Sequence, residues 1–61
     1  MMTMQQELEQ FRFKKVSEEL KTQIHDIVKK YYSDEFQIII WENGRVEAIF
    51  ENNHVDLISL W

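Results

Sequence analysis

With 61 residues, a net charge of −4 and neither cysteine nor proline, the chain has no disulfide and no thiolate metal site open to it. A chain this short buries only about 60% of its unfolded surface, so it needs an efficient core or association with another chain. Its 44% of apolar residues suffice for a core and exclude disorder by composition. A single domain over residues 1–61 is expected, helical over 3–32 and a β-meander over 36–60.

Charge is unevenly spread. Residues 1–32 hold six Lys/Arg against five acids, whereas residues 33–61 hold Arg45 alone against six acids. Negative potential is therefore expected on the C-terminal half, where it repels phosphate backbones and speeds encounters with basic proteins. The start, MMTMQQELEQ, lacks the basic flank and apolar run of a signal peptide. No segment approaches the ~20 apolar residues of a membrane span. A cytoplasmic protein with no membrane partner is the expectation.

In chain order, Thr3 followed by Gln6 fits a capping box, and Met4, Leu8 and Phe11 share a helical face. The phase slips after Phe11, so the pattern predicts a short first helix and a kink or turn near Phe13. The alternative makes FRFKKV an edge strand, since Phe11 and Phe13 alternate with charges. From Ser17 to Tyr32 the helical signal is stronger. Ser17 is the N-cap, Glu18 and Glu19 occupy the first turn, and Lys29 and Lys30 the last. Leu20, Ile24, Ile27, Val28 and Tyr31 form its apolar stripe, and Asp26 and Lys30 are spaced to pair on the outer side.

The remainder predicts strands over 36–42, 45–51 and 54–60, joined at Asn43-Gly44 and Asn52-Asn53. Two-residue turns at both places set Trp41 opposite Val46, Ile39 opposite Ala48, and Phe50 opposite Val55. One sheet face then carries Ile39, Trp41, Val46, Ala48, Phe50, Val55, Leu57 and Trp61, against which the long helix packs. The fold class is α+β, one or two N-terminal helices on a three-stranded antiparallel meander of order 1-2-3.

That register gives the second face Phe36, Ile38, Ile40 and Glu42, then Glu47, Ile49 and Glu51, then His54, Asp56, Ile58 and Leu60. A band of isoleucines rimmed by carboxylates marks an interaction site. Three occupants are open for it: the first helix lying across it, a second copy of the chain, or a different protein. The expected partner-binding set is Ile38, Ile40, Glu42, Glu47, Ile49, Glu51, Asp56 and Ile58.

Catalysis has no foothold in the sequence, which lacks a Gly-rich phosphate loop, a nucleophile elbow and metalloprotease spacing. Neither cofactor nor metal is expected. His25 and Asp26 diverge on a helix, and His25 reads as solvated. His54 and Asp56 share a strand face but make at most two ligands. FRFKK mixes Arg12, Lys14 and Lys15 with two phenylalanines, as nucleic-acid binders do, but three cations in an acidic chain are a weak footprint. Both phenylalanines read more simply as core, as do Trp41 and Trp61.

These features together predict a small, non-enzymatic acidic module that blocks a basic protein surface, by analogy with immunity proteins, antitoxins and inhibitors. The alternative is a homo-oligomeric structural or accessory subunit. A symmetric dimer through an acidic face would need Arg45 or His54 opposite the carboxylates.

Overall fold

A computed structural model describes residues 2–61. Helix α1 (Met4–Leu8) runs into a 3-10 turn (Glu9–Phe11), followed by α2 (Glu18–Lys29) and strands β1 (Gln37–Ile40), β2 (Arg45–Ile49) and β3 (His54–Ser59). The strands form an antiparallel sheet of order β1-β2-β3, so the expected α+β architecture and meander are present.

Both helices start as their caps dictate. The Thr3 hydroxyl accepts from the Gln6 amide at 3.1 Å while the Gln6 side chain accepts from the Thr3 amide at 2.9 Å, a complete capping box. Ser17 Oγ accepts from the Leu20 amide at 3.1 Å. A helix as short as α1 has no stability of its own. It is held by Leu8, which is fully buried, and by Phe11 at its end. Helix α2 buries Leu20, Ile24 and Val28. The helix ends at Lys29, which breaks the expected stripe: Tyr31 is exposed, and Tyr32 packs against the core in its place.

The first hairpin departs from the two-residue turn. The Gly44 amide donates to the Trp41 carbonyl at 2.9 Å, and the Trp41 amide donates to the Arg45 carbonyl at 2.8 Å. The loop is therefore the three residues 42–44, a tight turn closed by Gly44 at φ +86°. This is the three-residue alternative, in which one left-handed residue forms a bulge next to the turn. Asn43 Oδ1 braces it by accepting from the Arg45 amide at 3.0 Å. Ile40 now pairs with Val46, Ile39 with Glu47 and Ile38 with Ala48. A slip of one residue inverts every side chain of a strand. Ile38 and Ile40 turn inward to the core, and Ile39 and Trp41 turn outward.

The second connection also differs. The Phe50 amide donates to the Asn53 carbonyl at 2.8 Å, so the loop is Glu51-Asn52 and not Asn52-Asn53. The shift is by two, which leaves His54 and Asp56 on the outer face as expected, with Asp56 opposite Glu47. Farther along, Val46 pairs with Ile58, and the pairing shifts between Val46 and Glu47. Leu57 is the extra residue of this bulge, so Leu57, Ile58 and Leu60 are all buried. The expectation that Ile58 and Leu60 face outward fails here.

A single core joins Leu8 and Phe11 to Leu20, Ile24, Val28, Ile38, Val46, Ala48, Leu57, Ile58 and Leu60. Both helices thus pack on the same side of the sheet, α1 beside β3 and α2 beside β1. Helix α1 does not cross the opposite face. Phe36 and Phe50, with ring centroids 5.5 Å apart, close one end of the core with Tyr32, and His25 stacks on Phe36 at 4.4 Å. His25 is therefore half-buried and not simply solvated.

The two helices are clasped by Glu7. Lys30 Nζ lies 2.6 Å from Glu7 Oε1, and the Tyr31 hydroxyl donates to the other carboxylate oxygen. Lys30 is thus engaged with α1 and not with Asp26. The Lys30 hydrogen bond first, and the Tyr31 hydrogen bond second, hold the Glu7 carboxyl below its ordinary range. The same contacts with Glu7 raise Lys30 and Tyr31 above theirs. A depressed carboxylate stabilises the fold above the ordinary carboxylate range and loses that contribution as pH falls through its folded value. Raised Lys and Tyr groups contribute below their ordinary values and lose it as pH rises through the folded ones. Glu7→Gln should therefore be less stable than wild type at neutral pH, with the gap closing in acid. Urea midpoints for both proteins across pH check this; a gap that persists in strong acid would show that the clasp is not ionic.

Candidate functional site

The sheet face away from the helices carries three rows. Gln37, Ile49 and His54 form one, and Ile39, Glu47 and Asp56 the next. Trp41 and Arg45 lie toward the hairpin end. Ile39 and Ile49 are half-buried and take no part in the core, and Trp41 is 49% exposed. Of the residues expected to bind a partner, Glu47, Ile49 and Asp56 share this face. Glu42 and Glu51 are exposed in the two turns at opposite ends of β2. Ile38, Ile40 and Ile58 do not belong to it, because the register and the β3 bulge turn them to the core. Ile39 and Trp41 replace them, so the face keeps an apolar strip bordered by charge.

Its electrostatics centre on Glu47 and Asp56, which stand directly opposite each other on neighbouring strands. Like charges in that relation are destabilising. Glu47 Oε1 accepts from Trp41 Nε1 at 3.0 Å, which fixes the indole across the face. Arg45 reaches Asp56 only at 4.0 Å, with both side chains largely exposed, so that pair contributes little. The row is thus short of positive charge. His54 and Asp56 gather no third ligand: among the described residues, no group of three or more His, Asp or Glu side chains could hold a metal ion.

Trp61 packs on the first hairpin loop. A Cβ on Gly44 would lie 2.6 Å from Trp61 Cδ2, so the indole rests on the glycine backbone while 57% exposed. Neither tryptophan is a core residue. At the other end of the sheet, an open groove runs past His25, Lys29, Tyr32, Glu35 and Asn53. Its polar groups carry both signs and converge on no single point.

A second surface feature lies at residues 11–14. The Lys14 amide donates to the Phe11 carbonyl at 3.2 Å, closing a turn whose central residues are Arg12 (φ −61°, ψ 140°) and Phe13 (φ 65°). This is a type II turn, whose third position demands positive φ and is ordinarily glycine or asparagine. The predicted turn near Phe13 is present; the placement of Phe13 in the core is not, since it is 78% exposed. The edge-strand alternative reduces to one bond, from the Phe13 amide to the Leu60 carbonyl at 2.6 Å.

No protein-family model matches the chain, and no curated protein or solved structure is detectably similar to it. Among the described residues, no helix is long and apolar enough to cross a membrane.

A left-handed conformation costs a non-glycine residue roughly 1–2 kcal/mol, and Phe13 offsets little of that through burial. Phe13→Gly should raise the melting temperature by a few degrees, the shift about 1 kcal/mol gives a domain of this size. A lower melting temperature would show that the Phe13 ring supports the fold.

Proposed function

We propose that the protein is a small, non-catalytic binding module that engages a basic protein surface through its uncovered sheet face, in the cytoplasm. The observation that carries this reading is the Glu47–Asp56 pair: two opposed carboxylates on the central row, flanked by Ile39, Ile49 and Trp41 and poorly neutralised by Arg45. A Lys or Arg from a partner placed between them would relieve their repulsion and gain charge-assisted hydrogen bonds. Ile39, Ile49 and Trp41 would supply the apolar burial that such contacts need around them. Glu42 and Glu51, at the two ends of β2, extend the negative field and steer the encounter. The mechanism is steric occlusion of the partner's basic surface, in the manner of an inhibitor.

Self-association through the same face is the competing reading. It requires Arg45 or His54 of one copy to lie against Glu47 and Asp56 of the other, and that contact must outweigh repulsion between like faces.

The test compares wild type with Glu47→Lys/Asp56→Lys and with Asp34→Lys/Glu35→Lys, which makes the same charge change off the face. A cell extract is passed over each immobilised protein, and retained proteins are titrated back. A basic protein held by wild type and by the control, but bound at least about tenfold more weakly by the face variant, supports the reading. Equal retention by all three, or no retention, overturns it. A concentration-dependent dimer that only the face variant disrupts favours self-association.

A further inference from the structure

We propose that the turn at Phe13 is a stacking site for a short stretch of single-stranded nucleic acid, with Arg12, Lys14 and Lys15 pairing its phosphates. The site is separate from the uncovered sheet face, and it holds or fails independently of the reading above.

The reasoning begins with a residue that works against its own fold. Phe13 holds a backbone conformation suited to glycine, at φ 65°, and leaves its ring 78% exposed. It therefore gives up stability and recovers almost none by burial. Strain of this kind persists where the surrounding structure enforces it, and it concentrates at sites that contact ligands. The enforcement is visible. The Phe11–Lys14 turn bond and the bond from the Phe13 amide to the Leu60 carbonyl fix the backbone on both sides of the ring.

What surrounds the ring defines the ligand. Arg12, Lys14 and Lys15 are all exposed, and no other three cations lie so close in the chain without an acid between them. Arg12 also reaches Glu9 at 3.5 Å, an exposed pair worth little that a phosphate can displace. The carbonyl that receives the Phe13 amide belongs to Leu60, so the turn is tied to the end of the chain, while the Trp61 indole itself rests on Gly44. Flat rings interleaved with cations are what unpaired bases and their phosphates require, because every base offers a face for stacking whatever its sequence. An anionic lipid surface fits less well. The Arg12 guanidinium lies over the Phe13 ring, 5.3 Å from its centroid, so inserting the ring would drag that charge into the apolar layer. Against a stacked base, the same guanidinium stays beside the phosphates. The acidic sheet face would repel the strand and confine it to the turn.

The experiment is fluorescence anisotropy of a labelled oligothymidylate at low salt, titrated with the intact protein. Saturable binding is expected, with log K falling against log salt at a slope of about −2, the value for roughly three neutralised phosphates on a single strand. Phe13→Gly keeps the turn and should bind at least about tenfold more weakly, since a lost stacking contact has that effect. Lys14→Glu/Lys15→Glu should abolish binding. The proposal is overturned if wild type does not bind, if Phe13→Gly binds as tightly as wild type, or if duplex DNA binds as well as the single strand. Binding to phosphatidylserine vesicles without binding to the oligonucleotide likewise overturns it and assigns the turn to membranes.

Discussion

The backbone of Gly44, at φ +86°, ties three separate parts of the chain together. Its amide closes the first hairpin on Trp41, and its carbonyl accepts from the Leu60 amide at 2.7 Å, which anchors the end of β3. Leu60 in turn accepts from Phe13, so the turn after α1 hangs on the same line of hydrogen bonds. Trp61 occupies the space where any other residue would carry a Cβ. The position of this one glycine in the loop sets the register of β1. Register sets which isoleucines are buried, and so which side chains are left outside.

The two faces of the sheet follow from that constraint. Inward, Ile40–Val46–Ile58 and Ile38–Ala48–Val55 form rows apolar enough to accept two helices side by side. The β3 bulge widens this side by turning Leu57 and Ile58 inward together, and Leu8 and Phe11 meet that part of the sheet. Outward, the sheet is left with Ile39, Ile49 and Trp41 among Glu47, Asp56 and Arg45. Among the described residues both helices lie on one side of the sheet, so the interior is covered on that side only. This leaves a surface that is neither purely solvating nor purely structural.

Much of the fold was legible in the sequence, and the failures have physical causes. Caps at Thr3 and Ser17, the α2 stripe over Leu20, Ile24 and Val28, and the order of the meander all follow from short-range rules. The face assignment on β1 did not, because Asn-Gly suits both a two-residue turn and a three-residue loop. Ile38, Ile39, Ile40 and Trp41 are all apolar, so alternation cannot choose between the registers. The β3 bulge did leave a signal. In Val55-Asp56-Leu57-Ile58-Ser59-Leu60 the alternation breaks once, between Leu57 and Ile58, where the extra residue lies. Glu47 and Ile49 lie on their predicted side because β2 alternates with Val46 and Ala48 inward, and Asp56 does because the second turn is shifted by an even number of residues. Phe13 was misread because a bulky apolar residue in a left-handed turn runs against its usual placement.

The arrangement of the uncovered face stands or falls with the β1–β2 register, and cross-strand nuclear Overhauser effects report it directly. The pair Trp41–Arg45 is hydrogen-bonded, so the alternating positions Ile40–Val46 and Ile38–Ala48 bring their α-protons close together. Strong Hα–Hα contacts between those two pairs are the predicted result. Contacts between Trp41 and Val46 and between Ile39 and Ala48 would instead place Ile39 and Trp41 in the core, and would contradict the account.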